Sequence, residues 1–249
     1  QTAVVECAIG CLFCGAIMGQ TITALEPQKR QKDRISVFLD GEFAFGLPDT
    51  EAARLRVGQE LSEQEIAELR AIDALSRAFD RAVRLLARRP YSAAEIRRSL
   101  ASKEIASGVI DEVLRRLESL GYVDDYAFAQ YWVENRERFR PRGARALRYE
   151  LRQKGIADAI IQQALDGFDS GESAYAAARD QARRLRGLDR RTFRTRMSGF
   201  LARRGFEYGT VREVVDRLIH EYDEADRDFF ASDEQPEDTD LDEALPNEE

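Results

Sequence analysis

The chain has 249 residues, enough to bury a real core in one or two domains, and its 43% hydrophobic and 34% charged side chains exclude a disordered or membrane-embedded class. The net charge of −8 conceals two opposed parts: residues 221–249 carry 14 carboxylates and one arginine, net −13, which leaves 1–220 at +5. Lys29, Lys32, Lys103 and Lys154 are the only lysines, so the basic surface is built of arginine, which favours bidentate contact with phosphate and carboxylate.

Residues 1–20 read as a leader of separate status that begins at Gln1 rather than Met. Its apolar run, Ala8–Gly19, falls short of the ~20 residues a membrane helix needs, and neither a basic region nor a cleavage site marks a signal peptide. Cys7, Cys11 and Cys14, the only cysteines, have the C-x3-C-x2-C spacing of a site-differentiated four-iron cluster and resemble the motif of radical SAM enzymes. That chemistry needs a large βα barrel, and no alternation of strands and helices follows. The match is read as incidental, with no metal or cofactor expected. The cysteine-free remainder suits a reducing cytoplasm.

Residues 21–71 read as a small β-rich subdomain. RISVFL and EFAFGL flank Asp40-Gly41, a strong two-residue hairpin signal. Pro48-Asp49-Thr50 opens a short helix, and Ser62–Glu65 is a capping box opening another. From Ile72 to Tyr222 the apolar spacing is helical, as in Leu75, Phe79, Ala82, Val83 and Leu86, with a second capping box at Ser92–Glu95.

Three segments align at offsets of 51 and 50 residues: IRRSLASKEI (96–105), LRYELRQKGI (147–156) and MSGFLARRGF (197–206). Each is followed by an apolar helix, at 109–117, 160–168 and 211–219, and preceded by another amphipathic helix. The predicted fold is mainly α: three tandem three-helix repeats, 72–124, 125–170 and 171–222, forming an elongated curved stack. Glu104 stands where the others have Gly155 and Gly205, so the first repeat is expected to end its middle helix differently. Residues 223–249 read as an acidic disordered tail, whose charge makes it a candidate competitor for the arginine surface.

RRPYSAAEIRRSLASKEI, LGYVDDYAFAQYWV and PRGARALRYELRQKGI resemble the RecX regulatory proteins, which modulate the RecA recombinase. The hairpin before them is similar to the amino-terminal extension of some members, so the resemblance covers roughly 21–222. It implies binding along the RecA–single-stranded DNA filament and suppression of RecA ATPase, strand exchange and coprotease activity, with roles in DNA repair, homologous recombination and the SOS response. The expected molecule is a cytoplasmic monomer with no membrane association. The rival reading is a stand-alone DNA-binding helical repeat protein whose triplets act like helix-turn-helix units.

The candidate RecA- or DNA-binding residues are Arg136, Arg138, Arg142, Arg145, Arg148, Arg152 and Lys154 in repeat two and Arg194, Arg203 and Arg204 in repeat three. Arg145, Arg148 and Arg152 share one helical face while Leu147 and Leu151 point to the core. Tyr131, Trp132, Phe139 and Tyr149 are candidates for base stacking, with Trp132 and Phe128 expected in the core. Asp124-Asp125 reads as a helix cap. His220, the only histidine, has no sequence partner for catalysis, and no nucleophile is matched with a base, so a non-enzymatic protein is expected.

Overall fold

The computed structural model describes residues 19–29, 31–226 and 228–231. The three cysteines and the acidic stretch after Ala231 lie outside the described residues. Among those described, the chain is mainly helical, with three three-helix units preceded by a small sheet. The described residues group into two compact units, those up to 91 with 96–123 and 92–95 with those from 124 onward.

In the first unit, β1 (Gln20–Pro27), β2 (Arg34–Leu39), β3 (Glu42–Pro48) and β4 (Glu60–Leu61) form an antiparallel sheet ordered β3-β2-β1-β4. Asp40 and Gly41 form the hairpin turn with φ of 50° and 89°. Ile22, Val37, Leu39, Phe45 and Leu47 turn one face of the sheet into a core closed by Ala52 of α1 (Asp49–Ala52) and Ile66 of α2 (Glu63–Leu86). The Ser62 box opens α2: Ser62 Oγ accepts the Glu65 N–H at 3.3 Å, and Glu65 Oε2 accepts the Ser62 N–H at 2.8 Å.

The boundary expected at 71/72 falls inside α2, which runs unbroken for 24 residues. Its first turns cover the sheet through Ile66, whereas Ala78 and Ala82 are buried further along, where α2 packs on α4 (Ser107–Ser119). Arg34 and Asp73 pin the middle of α2 to the sheet. This buried ion pair is supported by Arg34 donating to the Gly46 carbonyl at 3.0 Å and to Ser76 Oγ at 2.9 Å. A guanidinium taken out of water survives only with its donors matched in this way.

α3 (Ala93–Ala101) buries Ile96 and Leu100, and its first turn groups with the second unit. The second unit continues with α5 (Asp125–Phe139), α6 (Ala144–Gln153), α7 (Asp158–Ala164), α8 (Ser170–Ala182), α9 (Arg190–Arg203) and α10 (Tyr208–Ala225). Phe128, Val133, Leu147, Leu151, Ile156 and Ile161 form the core of the second triplet. Ala174, Ala178, Phe193, Met197, Leu201, Phe206, Val215 and Leu218 belong to that of the third. Asp124 caps α5, its Oδ1 accepting the Tyr126 and Ala127 N–H groups at 2.8 and 3.1 Å. Asp125 does something the sequence did not announce: its Oδ1 accepts the Ala93 N–H at 2.9 Å, at the start of α3.

One contact then occurs twice. Ser92 Oγ donates to the Lys154 carbonyl at 2.7 Å, and Glu95 Oε1 accepts the Lys154 ammonium at 2.6 Å. Gly155 turns beneath that first turn with φ of 82°, so tightly that a β-carbon on it would come within 2.3 Å of Ala94 Cβ. One repeat later the Gly143 N–H donates to the Arg204 carbonyl at 3.0 Å, and Arg204 Nη1 donates to the Pro141 carbonyl at 3.2 Å. A β-carbon on Gly205, φ 83°, would lie 2.6 Å from Ala146 Cβ.

Glu104 corrects one expectation. It has φ of 59°, so the first repeat ends its middle helix in the same left-handed turn as Gly155 and Gly205. A side chain is tolerated there because Glu104 is exposed and no helix start presses on it among the described residues.

The tail boundary at 223 is a second correction. α10 continues to Ala225, and the chain then folds back to bury Phe229 and Phe230. Phe229 stacks on Tyr222 at 3.9 Å, and both phenylalanines meet Phe193 edge-on, at 5.9 and 5.2 Å. The Gly187 N–H donates to the Phe229 carbonyl at 2.8 Å and the Ala231 N–H to the Leu188 carbonyl at 3.2 Å, while Arg186 and Arg190 pair with Asp226 and Asp223. Acidic composition hid this strap. Burying two phenylalanines, worth roughly 1.5–3 kcal/mol each, outweighs the solubility of the carboxylates around them.

Gly155→Ala should cost about 2–4 kcal/mol of stability in urea unfolding, from the left-handed backbone and the overlap with Ala94. Glu104→Gly at the matching position should instead raise stability by about 0.5–1 kcal/mol. Equal effects at the two sites would contradict the contact described.

Candidate functional site

The basic character of the second triplet is local: residues 134–158 hold eight arginines or lysines against four carboxylates. Leu147 and Leu151, both fully buried, fix the rotation of α6. That rotation leaves Arg145 exposed, Arg148 half-buried and Tyr149 65% exposed on the outer face. Among the described residues neither Arg145 nor Arg148 has an ion pair. Arg152, on the same face, is held by Asp158 at 2.7 Å, a hydrogen bond that raises its guanidinium pKa above the usual arginine value.

The opposite side of α6 consumes most of the other cations. Glu150 accepts the Trp132 indole N–H at 2.8 Å and the Arg136 Nε–H at 2.7 Å, with Arg142 Nε at 3.8 Å. Arg136 and Lys154 also lie over the Trp132 ring, 4.4 and 4.7 Å from its centroid, and Trp132 stacks on the buried Phe128. Trp132 is thus locked into the triplet, as expected of a core residue, and is not presented for base stacking. Arg204 lies over Phe200 at 4.5 Å, its pKa lowered first by burial and then by the nearby Arg142 and Arg140.

The ten cations grouped from sequence therefore divide. Arg136, Arg142, Lys154 and Arg204 are structural fasteners; Arg152 and Arg194 are paired at the surface, the latter with Asp216. Arg145, Arg148 and Arg203 have no ion pair among the described residues, and Arg138 lies over the exposed Phe139 ring at 5.2 Å. Burial, with Glu134 and Asp169 nearby, pushes the Glu137 carboxyl pKa above its ordinary value. Glu150, which the sequence offers only as one partial counter-ion among Glu134, Glu137 and itself, gathers Arg136 from α5 and Arg142 from the loop before α6. Chemically, the outer face offers guanidinium forks beside phenol and phenyl rings, an arrangement suited to phosphates, carboxylates and exposed bases.

Family models match along most of the described chain. The regulatory protein RecX N-terminal domain matches residues 20–62, and the first, second and third RecX three-helix domains match 78–117, 124–165 and 169–215. The chain belongs to the RecX family. The regulatory protein RecX of Chlorobium phaeobacteroides (strain BS1) is 40% identical over 143 residues, covering 57% of this chain and 94% of that one. That of Bacillus subtilis (strain 168) is 30% identical over 208 residues, covering 82% and 79%. A crystal structure of regulatory protein RecX superposes with a TM-score of 0.64 at 27% identity, over 79% of this chain and 99% of that one. The RecX structure from Lactobacillus salivarius, at 22% identity and a TM-score of 0.54 over 59% of this chain and 98% of that one, shares the fold. No helix among the described residues is long and apolar enough to cross a membrane.

The division between fasteners and free cations predicts unequal losses. Glu150→Ala, which strands the Trp132 and Arg136 donors, should lower the free energy of urea unfolding by about 1–2 kcal/mol. Arg145→Ala should change it by less than about 0.5 kcal/mol. A comparable loss at Arg145 would place it in the framework.

Proposed function

We propose that this RecX family chain binds the RecA–single-stranded DNA filament in the cytoplasm and restrains RecA ATPase, recombinase and coprotease activity, acting as a monomer in recombination and SOS-linked repair. The observation that carries the reading is the outer face of α6, where Arg145 and Arg148 have no counter-ion among the described residues and lie beside exposed Tyr149 in a chain of this family. An unpaired arginine stripe has electrostatic free energy to gain from an acidic or phosphate-bearing partner, whereas the paired cations would first have to break bonds. Arg138 and Arg203 extend the contact set in this reading. Repeats that engage neighbouring filament subunits would oppose the movements that accompany ATP turnover.

Titrating the full chain against RecA on single-stranded DNA should suppress ATP hydrolysis at stoichiometric ratios. The Arg145→Glu/Arg148→Glu double variant should need at least about tenfold more protein. Unchanged hydrolysis with the parent chain would overturn the proposal. Tight, filament-independent DNA binding with a steep salt dependence would favour the stand-alone DNA-binding reading instead.

A further inference from the structure

The left-handed turn that ends each middle helix is a socket in repeats two and three. The Lys154–Gly155 turn receives the helix start at 92–95, and the Arg204–Gly205 turn receives the one at 143–146. Both place a helix amino terminus, with its free N–H dipole, against the carbonyl-rich end of another helix. In the first, the acid Glu95 answers the Lys154 ammonium.

Repeat one has the same turn at Lys103-Glu104-Ile105, and nothing docks there among the described residues. Two observations mark the vacancy. Ile105 is only half-buried, whereas its counterparts Ile156 and Phe206 are 4% and 5% exposed. Beside it lies a groove of about 750 Å³ lined by Lys103, Glu104 and Ile105 and by the α2 residues Arg77, Arg81 and Arg84. Asp73 and Asp80 also line it, but Asp73 is committed to Arg34. Arg77 pairs with Asp73, and among the described residues Arg81, Arg84 and Lys103 have no ion pair, nor have Asp80 and Glu104, so the unpaired groups of the groove keep an excess of one positive charge around a partly bared isoleucine.

We propose that this groove on repeat one docks the first turn of an acidic helix from a partner protein, in the manner of Glu95 on Lys154. A second copy of the chain is not the occupant, because the α9 start that would serve is already covered. Phe229 and Phe230 pack on Phe193, and the 226–231 strap bonds to Gly187 and Leu188.

The probe is a peptide of residues 90–101 of this chain carrying Arg97→Glu and Arg98→Glu, which makes it acidic, held helical by a hydrocarbon staple and titrated into isotope-labelled full-length protein. Amide shift changes should concentrate at 77–84 and 103–109. Lys103→Glu should weaken binding at least tenfold, and a Glu95→Lys peptide should regain affinity for that variant. No shifts at these residues at millimolar peptide, or equal affinity for Lys103→Glu, would overturn the inference. So would an oligothymidine that shifts the groove residues when the peptide does not, or a self-association abolished by Lys103→Glu, which would assign the groove to nucleic acid or to a second copy. Circular dichroism of Lys103→Glu, an exposed substitution, confirms that the fold is kept.

Discussion

The architecture rests on one close approach: a helix amino terminus seated on a left-handed turn whose residue has no β-carbon. Gly155 under Ala94 and Gly205 under Ala146 leave no room for a methyl group, and the flanking carbonyls of Lys154 and Arg204 are taken by Ser92 Oγ and the Gly143 N–H. Backbone polar groups at helix ends must find partners when covered, so each seat satisfies one helix end with another. Glycine is required here twice over, once by φ and once by space. Where the space is free, at Glu104, only the conformational demand remains and a glutamate meets it.

The seats also decide which cations can act outward. Lys154 and Arg204 follow the last turns of α6 and α9 and are drawn in, one to Glu95 and the Trp132 ring, the other to Pro141 and Phe200. Glu150 takes Arg136 and Arg142 in the same way. What stays unpaired on α6 among the described residues is the face opposite the core, Arg145 and Arg148 with Tyr149. A basic segment that looked uniform is thus a framework of fixed charges carrying a smaller free set.

Much of this was legible in the sequence because its signals are local or periodic. The Asp40-Gly41 turn, the Ser62 and Ser92 boxes, the Asp124 cap and the buried Leu147 and Leu151 all follow from short-range rules of conformation and amphipathicity. The 50-residue offsets exposed the triplets before any contact was known. What escaped was long-range or masked by composition. Asp125 reaches Ala93 across 32 residues, α2 runs through the boundary expected at 71/72, and Phe229-Phe230 sit in a carboxylate-rich stretch. Any truncation that probes the acidic segment has to start beyond Ala231, or it removes part of the third core.

The Gly143 amide reports most directly on the central seat, since its bond to the Arg204 carbonyl exists only while the start of α6 rests on the Gly205 turn. Native-state hydrogen exchange should show this amide opening at the same free energy as the Met197 and Leu201 amides inside α9. In Gly205→Ala its protection should fall further than theirs. Rapid exchange at Gly143 in the parent chain, through local fraying with the α9 amides still protected, would contradict the account.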